Sequence, residues 1–92
     1  MSKKVIIEKK ISDDYLAKYY IIKEITCENE TAYGIEIELH DKLNLKTHEI
    51  VRKFTNSHEK AMKIIEILAD KNVTPNSLLY VIDEIFDKVS KK

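Results

Sequence analysis

The sequence predicts an α+β fold: a three-stranded antiparallel β-meander followed by two packed α-helices. Three observations predict it. Within residues 32–40, Tyr33 to His40 alternate between two faces without a break, as a strand with one buried face does. The only glycine of the chain, Gly34, lies inside that stretch. Beyond residue 56 the apolar spacing changes from two to three and four, and keeps it to residue 89. Strands grouped ahead of helices give segregated layers rather than alternating units.

The chain has 92 residues and is read as a single domain, 1–92, with a folded core over 19–89. A hydrophobic share of 43% and a charged share of 35% are those of a water-facing globular chain. Cys27 is the one cysteine, so no internal disulfide is available, which fits a reducing compartment. The apolar run Val5-Ile6-Ile7 is too short for a secretory signal, and Glu8-Lys9-Lys10 interrupts it. No stretch approaches the roughly 18 apolar residues of a membrane span. The expected location is the cytoplasm.

The elements follow in order. Residues 1–18 form an N-terminal arm, with a frayed start at Met1–Lys4. Val5–Ile7 reads equally as a short edge strand or an apolar tether, and Asp13–Lys18 as one helical turn. The first strand spans about 19–27, rich in aromatic and β-branched residues. Its core face is taken as Tyr19, Ile21, Ile25 and Cys27, which leaves Tyr20 and Ile22 outward. Glu28–Thr31 is a polar turn. The second strand, about 32–40, puts Tyr33, Ile35, Ile37 and Leu39 inward, and Gly34, Glu36, Glu38 and His40 outward. Gly34 marks a bulge or the close approach of another chain segment. Leu43 and Leu45 fold back over the edge of the core. The third strand, about 47–55, is registered with Leu39 opposite Ile50 and Ile35 opposite Phe54.

Helix one spans about 57–71. Asn56 and Glu59 have the spacing of a capping box. Ala61, Ile64, Ile65 and Leu68 form the stripe, and Asn72 suits a left-handed stop. Helix two spans about 75–89. Thr74 caps it and Pro75 opens it. Its stripe is Leu78, Leu79, Ile82, Ile85, Phe86 and Val89.

Few chemistries survive this reading. His40, His48, His58 and Cys27 lack metal-ligand spacing, so no metal site is expected. Cys27 is read as a small core residue, and no base is placed beside it. Glu36 and Glu38 share one face at acid–base spacing, yet carboxylates at i and i+2 are also what a solvated sheet face carries. A single glycine leaves no phosphate-cradling loop, so no cofactor is implied. The expectation is a non-enzyme.

Charge is zoned although the net is zero, with 16 basic and 16 acidic residues. Arg52, Lys53, Lys60 and Lys63 form a basic zone, and the tyrosines on the strands offer stacking surfaces for a nucleic acid. The acidic middle strand and the lone arginine oppose that alternative. A small interaction or regulatory module fits better, acting through self-association or a protein partner. The candidate contact residues are Tyr20, Ile22, Gly34, Glu36, Glu38, Arg52 and Lys53. Tyr20 and Ile22 are expected to form an exposed apolar patch.

Tyr33-Gly34-Ile35-Glu36-Ile37, then Phe54-Thr55-Asn56-Ser57-His58-Glu59-Lys60-Ala61, then Val73-Thr74-Pro75-Asn76-Ser77-Leu78 mark a recognisable layout. It resembles an uncharacterised family of short Firmicute proteins, from about Tyr19 to Val89. The resemblance implies a bacterial, cytoplasmic setting and three strands followed by two helices. It supplies no catalytic residue.

Overall fold

The computed structural model describes residues 2–43 and 45–90, with side chains as far as Ile85. It has four strands rather than three: β1 (Ser2–Ser12), β2 (Tyr15–Ile25), β3 (Thr31–Asp41) and β4 (Lys46–Thr55). Helix α1 (His58–Asp70), a 3₁₀ turn (Pro75–Ser77) and helix α2 (Leu78–Ser90) follow. The strands pair antiparallel in chain order, β1-β2-β3-β4, so β1 and β4 are the edges.

The N-terminal arm is therefore a strand, and no helical turn forms over 13–18. Its pattern was hard to read because it holds two bulges. Pairing passes from Val5–Tyr20 to Ile7–Tyr19, and from Lys10–Leu16 to Ser12–Tyr15. Each step leaves one extra residue, Ile6 and Ile11, on β1. The bulge at Ile6 lets two neighbours in sequence, Ile6 and Ile7, both pack against the core. Lys9 also lies on the core side, opposite Ala17, and its ammonium donates to the Ala69 carbonyl at the end of α1 (2.9 Å).

β2 and β3 pair in unbroken register from Tyr15–Asp41 to Ile25–Thr31. Tyr19 and Ile21 are buried as expected, whereas Ile25 and Cys27 are exposed near the β2–β3 turn. Thr26 organises that turn: its hydroxyl accepts from the amides of Glu28 and Glu30, and Asn29 takes a left-handed φ of 61°.

β4 sits three residues away from the predicted register. Ile35 faces Val51, Glu36 faces Ile50 and Leu39 faces Thr47. An odd shift exchanges the two faces of a strand, so Ile50 and Arg52 turn away from the helices. The cause is the bulge opposite Gly34. Between Tyr33–Thr55 and Ile35–Val51, β3 advances two residues while β4 advances four. A Cβ on Gly34 would lie 2.5 Å from the Val51 carbonyl oxygen and 2.9 Å from the Arg52 Cα. Gly34 thus answers both halves of its expectation, a bulge and a close approach.

The core lies between one sheet face and the helices. Ala17, Tyr19, Ile21, Ile35 and Ile37 meet Ala61, Ile64, Ile65 and Leu68 of α1 and Leu78, Ile82 and Ile85 of α2. Asp83 and Glu84 are exposed, as is Leu79, which was expected in the stripe. Phe86 and Val89 lie outside the described side chains. The cap of α1 is Ser57, whose hydroxyl accepts from the Lys60 amide (3.1 Å), so Asn56 is one position too early. Asn72 has φ 53°, and the amides of Val73 and Asn72 donate back to the Leu68 and Ala69 carbonyls. That is a Schellman stop, closed by buried Val73. Pro75 opens the 3₁₀ turn ahead of α2, and Thr74 makes no side-chain bond to its backbone.

Candidate interaction surface

The sheet face away from the helices is the first place to look. Even-numbered residues of β2, β3 and β4 point there: Tyr20, Ile22 and Glu24, then Gly34, Glu36, Glu38 and His40, then His48, Ile50 and Arg52. β1 adds Lys3, opposite Ile22. This face is uncovered by any helix, yet it is not solvated as a row of carboxylates was expected to be. Glu36 is 4% exposed and Glu38 7%, and Glu24 is buried with them. Ile22 is also buried and Tyr20 half-buried, so the predicted apolar patch is absent there.

Long side chains from the two edges supply the cover. Arg52 on β4 reaches across β3 to Glu24 on β2, and its Nε and Nη2 donate to the two carboxylate oxygens at 2.7 Å each. The lane it crosses holds only Ala32 and Gly34. Lys53 stands at 3.9 Å from the same carboxylate, with a left-handed φ of 54° imposed by the bulge. From the other edge, Lys3 on β1 reaches across β2 to Glu36 on β3 (2.9 Å). Its ammonium lies 4.6 Å from the centre of the Tyr20 ring.

Two of these acids, Glu38 and Glu24, are held ionised. Glu38 accepts from the Tyr20 hydroxyl (2.7 Å) and from His40 Nε2 (3.1 Å), and Lys46 lies at 3.7 Å. A carboxylate only accepts, which places the His40 proton on Nε2. Desolvation pushes the Glu38 carboxyl up, and those hydrogen bonds with the charges of Lys46 and Lys3 outweigh it, so it ionises below the usual range. The hydrogen bond from Arg52 likewise holds Glu24 low. Desolvation and the bond to Glu38 push the Tyr20 hydroxyl up to about 12. His48 Nδ1 stands 3.3 Å from Glu36. Every buried side-chain polar atom among the described residues has a hydrogen-bond partner. Six of the seven candidate residues thus share one face, with Lys53 beside it, and their charges are paired with Lys3, Glu24 and Lys46, which the sequence did not single out.

Apolar surface is exposed elsewhere. The strands are roughly 35 Å long and the helices roughly 20 Å, so the sheet outruns its helical layer. The uncovered part is the end that carries the β3–β4 hairpin. There Tyr15, Leu39, Asp41, Leu45, Thr47 and Asn76 line a recess of about 300 Å³. Leu43 is 79% exposed and Leu45 64%. Tyr15 is exposed beside them. Leu79 and Tyr80, in the first turn of α2, are exposed as well. Leu43 and Leu45 do not fold back over the core. The hairpin closes on itself instead, because the Asp41 carboxylate accepts from the amides of Leu43 and Leu45 (2.9 Å each) and turns the side chains out. An aspartate followed by two leucines in a turn was the available signal for these contact residues.

A family of unknown function, DUF6514, matches residues 2–88. The chain belongs to DUF6514. The match takes in the N-terminal arm, which the motif resemblance left outside, and agrees with β1 being part of the sheet. Neither a curated protein nor a solved structure matches this DUF6514 chain. No helix among the described residues is long and apolar enough to cross a membrane.

Proposed function

We propose that this DUF6514 chain is a small non-enzymatic interaction module, and that it binds through the apolar corner where the sheet outruns the helices. The observation that carries the reading is the open recess lined by Tyr15, Leu39 and Leu45, with Leu43 exposed in the same hairpin. Burying one large aliphatic side chain contributes about 1.5–3 kcal/mol, so a partner has much to gain at this corner. The sheet edges offer less. β1 carries two bulges and five charges, and β4 carries a bulge with Lys46, His48 and Arg52, all of which discourage strand addition.

The carboxylates support the same reading. A general acid near neutral pH needs a raised pKa, whereas Glu24 and Glu38 are lowered. The bacterial, cytoplasmic setting suggested by the sequence belongs to this proposal too. Light scattering and chemical cross-linking in lysate test it. Concentration-dependent assembly or specific capture is expected, and a strict monomer that captures nothing would sink the reading.

Nucleic acid is the weaker alternative. Arg52 and Lys53 are turned onto Glu24, while Lys60 and Lys63 stand on α1 beyond the other face of the sheet. Titration with labelled oligonucleotides at low salt is expected to be flat.

A further inference from the structure

We infer that the open face of the sheet holds a binding site for a small organic anion, an apolar body carrying one carboxylate. The site is separate from the apolar corner and does not depend on it. Lys3, Ile22, Glu36, His48, Ile50 and Arg52 line a recess of about 310 Å³ on this face. That volume is at the small end for ligand pockets, so it suits one small molecule. The register explains the hollow. Ile22 faces Gly34 on β3, which puts no side chain into that row, and Glu36 faces Ile50 on β4. Ile22 is buried at the base, while Ile50 is 37% exposed and forms an apolar wall.

The charges around the recess are layered. Glu36 is 4% exposed, whereas Lys3 is 40% exposed and Arg52 57%. An arriving molecule meets the cations first, with the acid beneath them. Lys3 gives one ammonium N–H to Glu36, and Arg52 gives Nε and Nη2 to Glu24. Donors are left over on both groups, and a guanidinium is well shaped to hold a carboxylate. Two cations and one carboxylate stand in the lining, so the local field draws in an anion and disfavours a cation. An apolar wall with a few placed polar groups is how small-molecule sites are built. A bare inorganic anion gains nothing from Ile50, and a neutral apolar molecule gains nothing from the donors.

Nuclear magnetic resonance titration of the isotope-labelled full chain with phenylacetate tests the inference. Phenethylamine, with the opposite charge, and inorganic phosphate, without the apolar body, serve as parallel arms. Phenylacetate is expected to give saturable amide shifts centred on Ile22, Glu36, His48, Ile50 and Arg52, with a Kd of about 1 mM for so small a probe. The other two are expected to give none there. Ile50→Glu removes the apolar wall and adds a carboxylate, and is expected to abolish the shifts. Ile50 is part-exposed, so that variant keeps the wild-type circular dichroism. Leu45→Ser, in the recess of the β3–β4 hairpin, is expected to leave the shifts unchanged. Equal binding of phenethylamine overturns the inference, because the cations then do not select the ligand. Equal binding of phosphate overturns it too, by reducing the site to a basic patch. Phenylacetate shifts that are absent, or that gather at Leu39 and Leu45 instead, also overturn it. The interaction module stands or falls separately, on assembly and capture measured without any added ligand.

Discussion

Gly34 is the residue on which the sheet turns. Its φ is not left-handed, so alanine there would be expected to stabilise slightly by restricting the unfolded chain, by about 0.5–1 kcal/mol. The contact outweighs that gain. The added Cβ would meet backbone atoms of β4 at 2.5 and 2.9 Å, and backbone cannot swing aside as a side chain can. Gly34→Ala should cost about 2–3 kcal/mol by overpacking, read as a lower urea midpoint. It should also disturb Arg52, because the bulge that meets Gly34 is the one that aims it.

The buried carboxylates give a pH dependence with a definite sign. Glu24 and Glu38 have folded pKa values below their ordinary 4.5. Their contribution is whole above that value and is lost as pH falls through the folded values. The Tyr20 hydroxyl, raised from 10 to about 12, acts at the other end and loses its contribution as pH rises through that interval. Melting temperature against pH should fall on both limbs. Glu38→Gln should shallow the acid limb, leaving the part due to Glu24, and Tyr20→Phe the alkaline one, leaving the part due to Tyr19, whose hydroxyl burial also pushes up to about 12.

At the scale of elements, capping separates two readings of the start of α1. Ser57→Ala should cost about 1 kcal/mol, because it frees the Lys60 amide, and Asn56→Ala should change little. Chemical denaturation of the two variants checks this. The sequence read the middle strand at 32–40 to within a residue at each end, because Tyr33 to His40 alternate cleanly and neither face is interrupted. Both helices were legible from stripe and stop signals. β1 was not, since bulges at Ile6 and Ile11 destroy the period of two on which the reading depends. The β4 register failed for the same reason. Its bulge is visible locally only as a glycine on another strand. The open face failed differently. Alternation says which way Glu36 points, and nothing local says that Lys3, more than thirty residues earlier, lies across it. Leu43 and Leu45 were noticed and misplaced, because the Asp41 bonds that turn them out belong to the loop's own closure.

The whole molecule is a two-layer slab, with Cα extents of 42 × 30 × 17 Å. Removal of residues 1–12 should abolish cooperative unfolding. It would take Ile7 and Ile11 from the core, the ammonium from the end of α1 and the partner from Glu36. A chain lacking that segment should show reduced strand signal and a broad melt by circular dichroism. The strand order has a further effect, carried by Lys3 and Arg52. Each edge is lashed past its neighbour to the strand beyond, one from each side. An outer strand therefore cannot peel away without also releasing a buried acid two strands in. The straps are half exposed, so each is individually modest. Amide hydrogen exchange is where they should tell. The edge strands should open together with the central pair rather than fray ahead of it, and raised salt should pull the two rates apart.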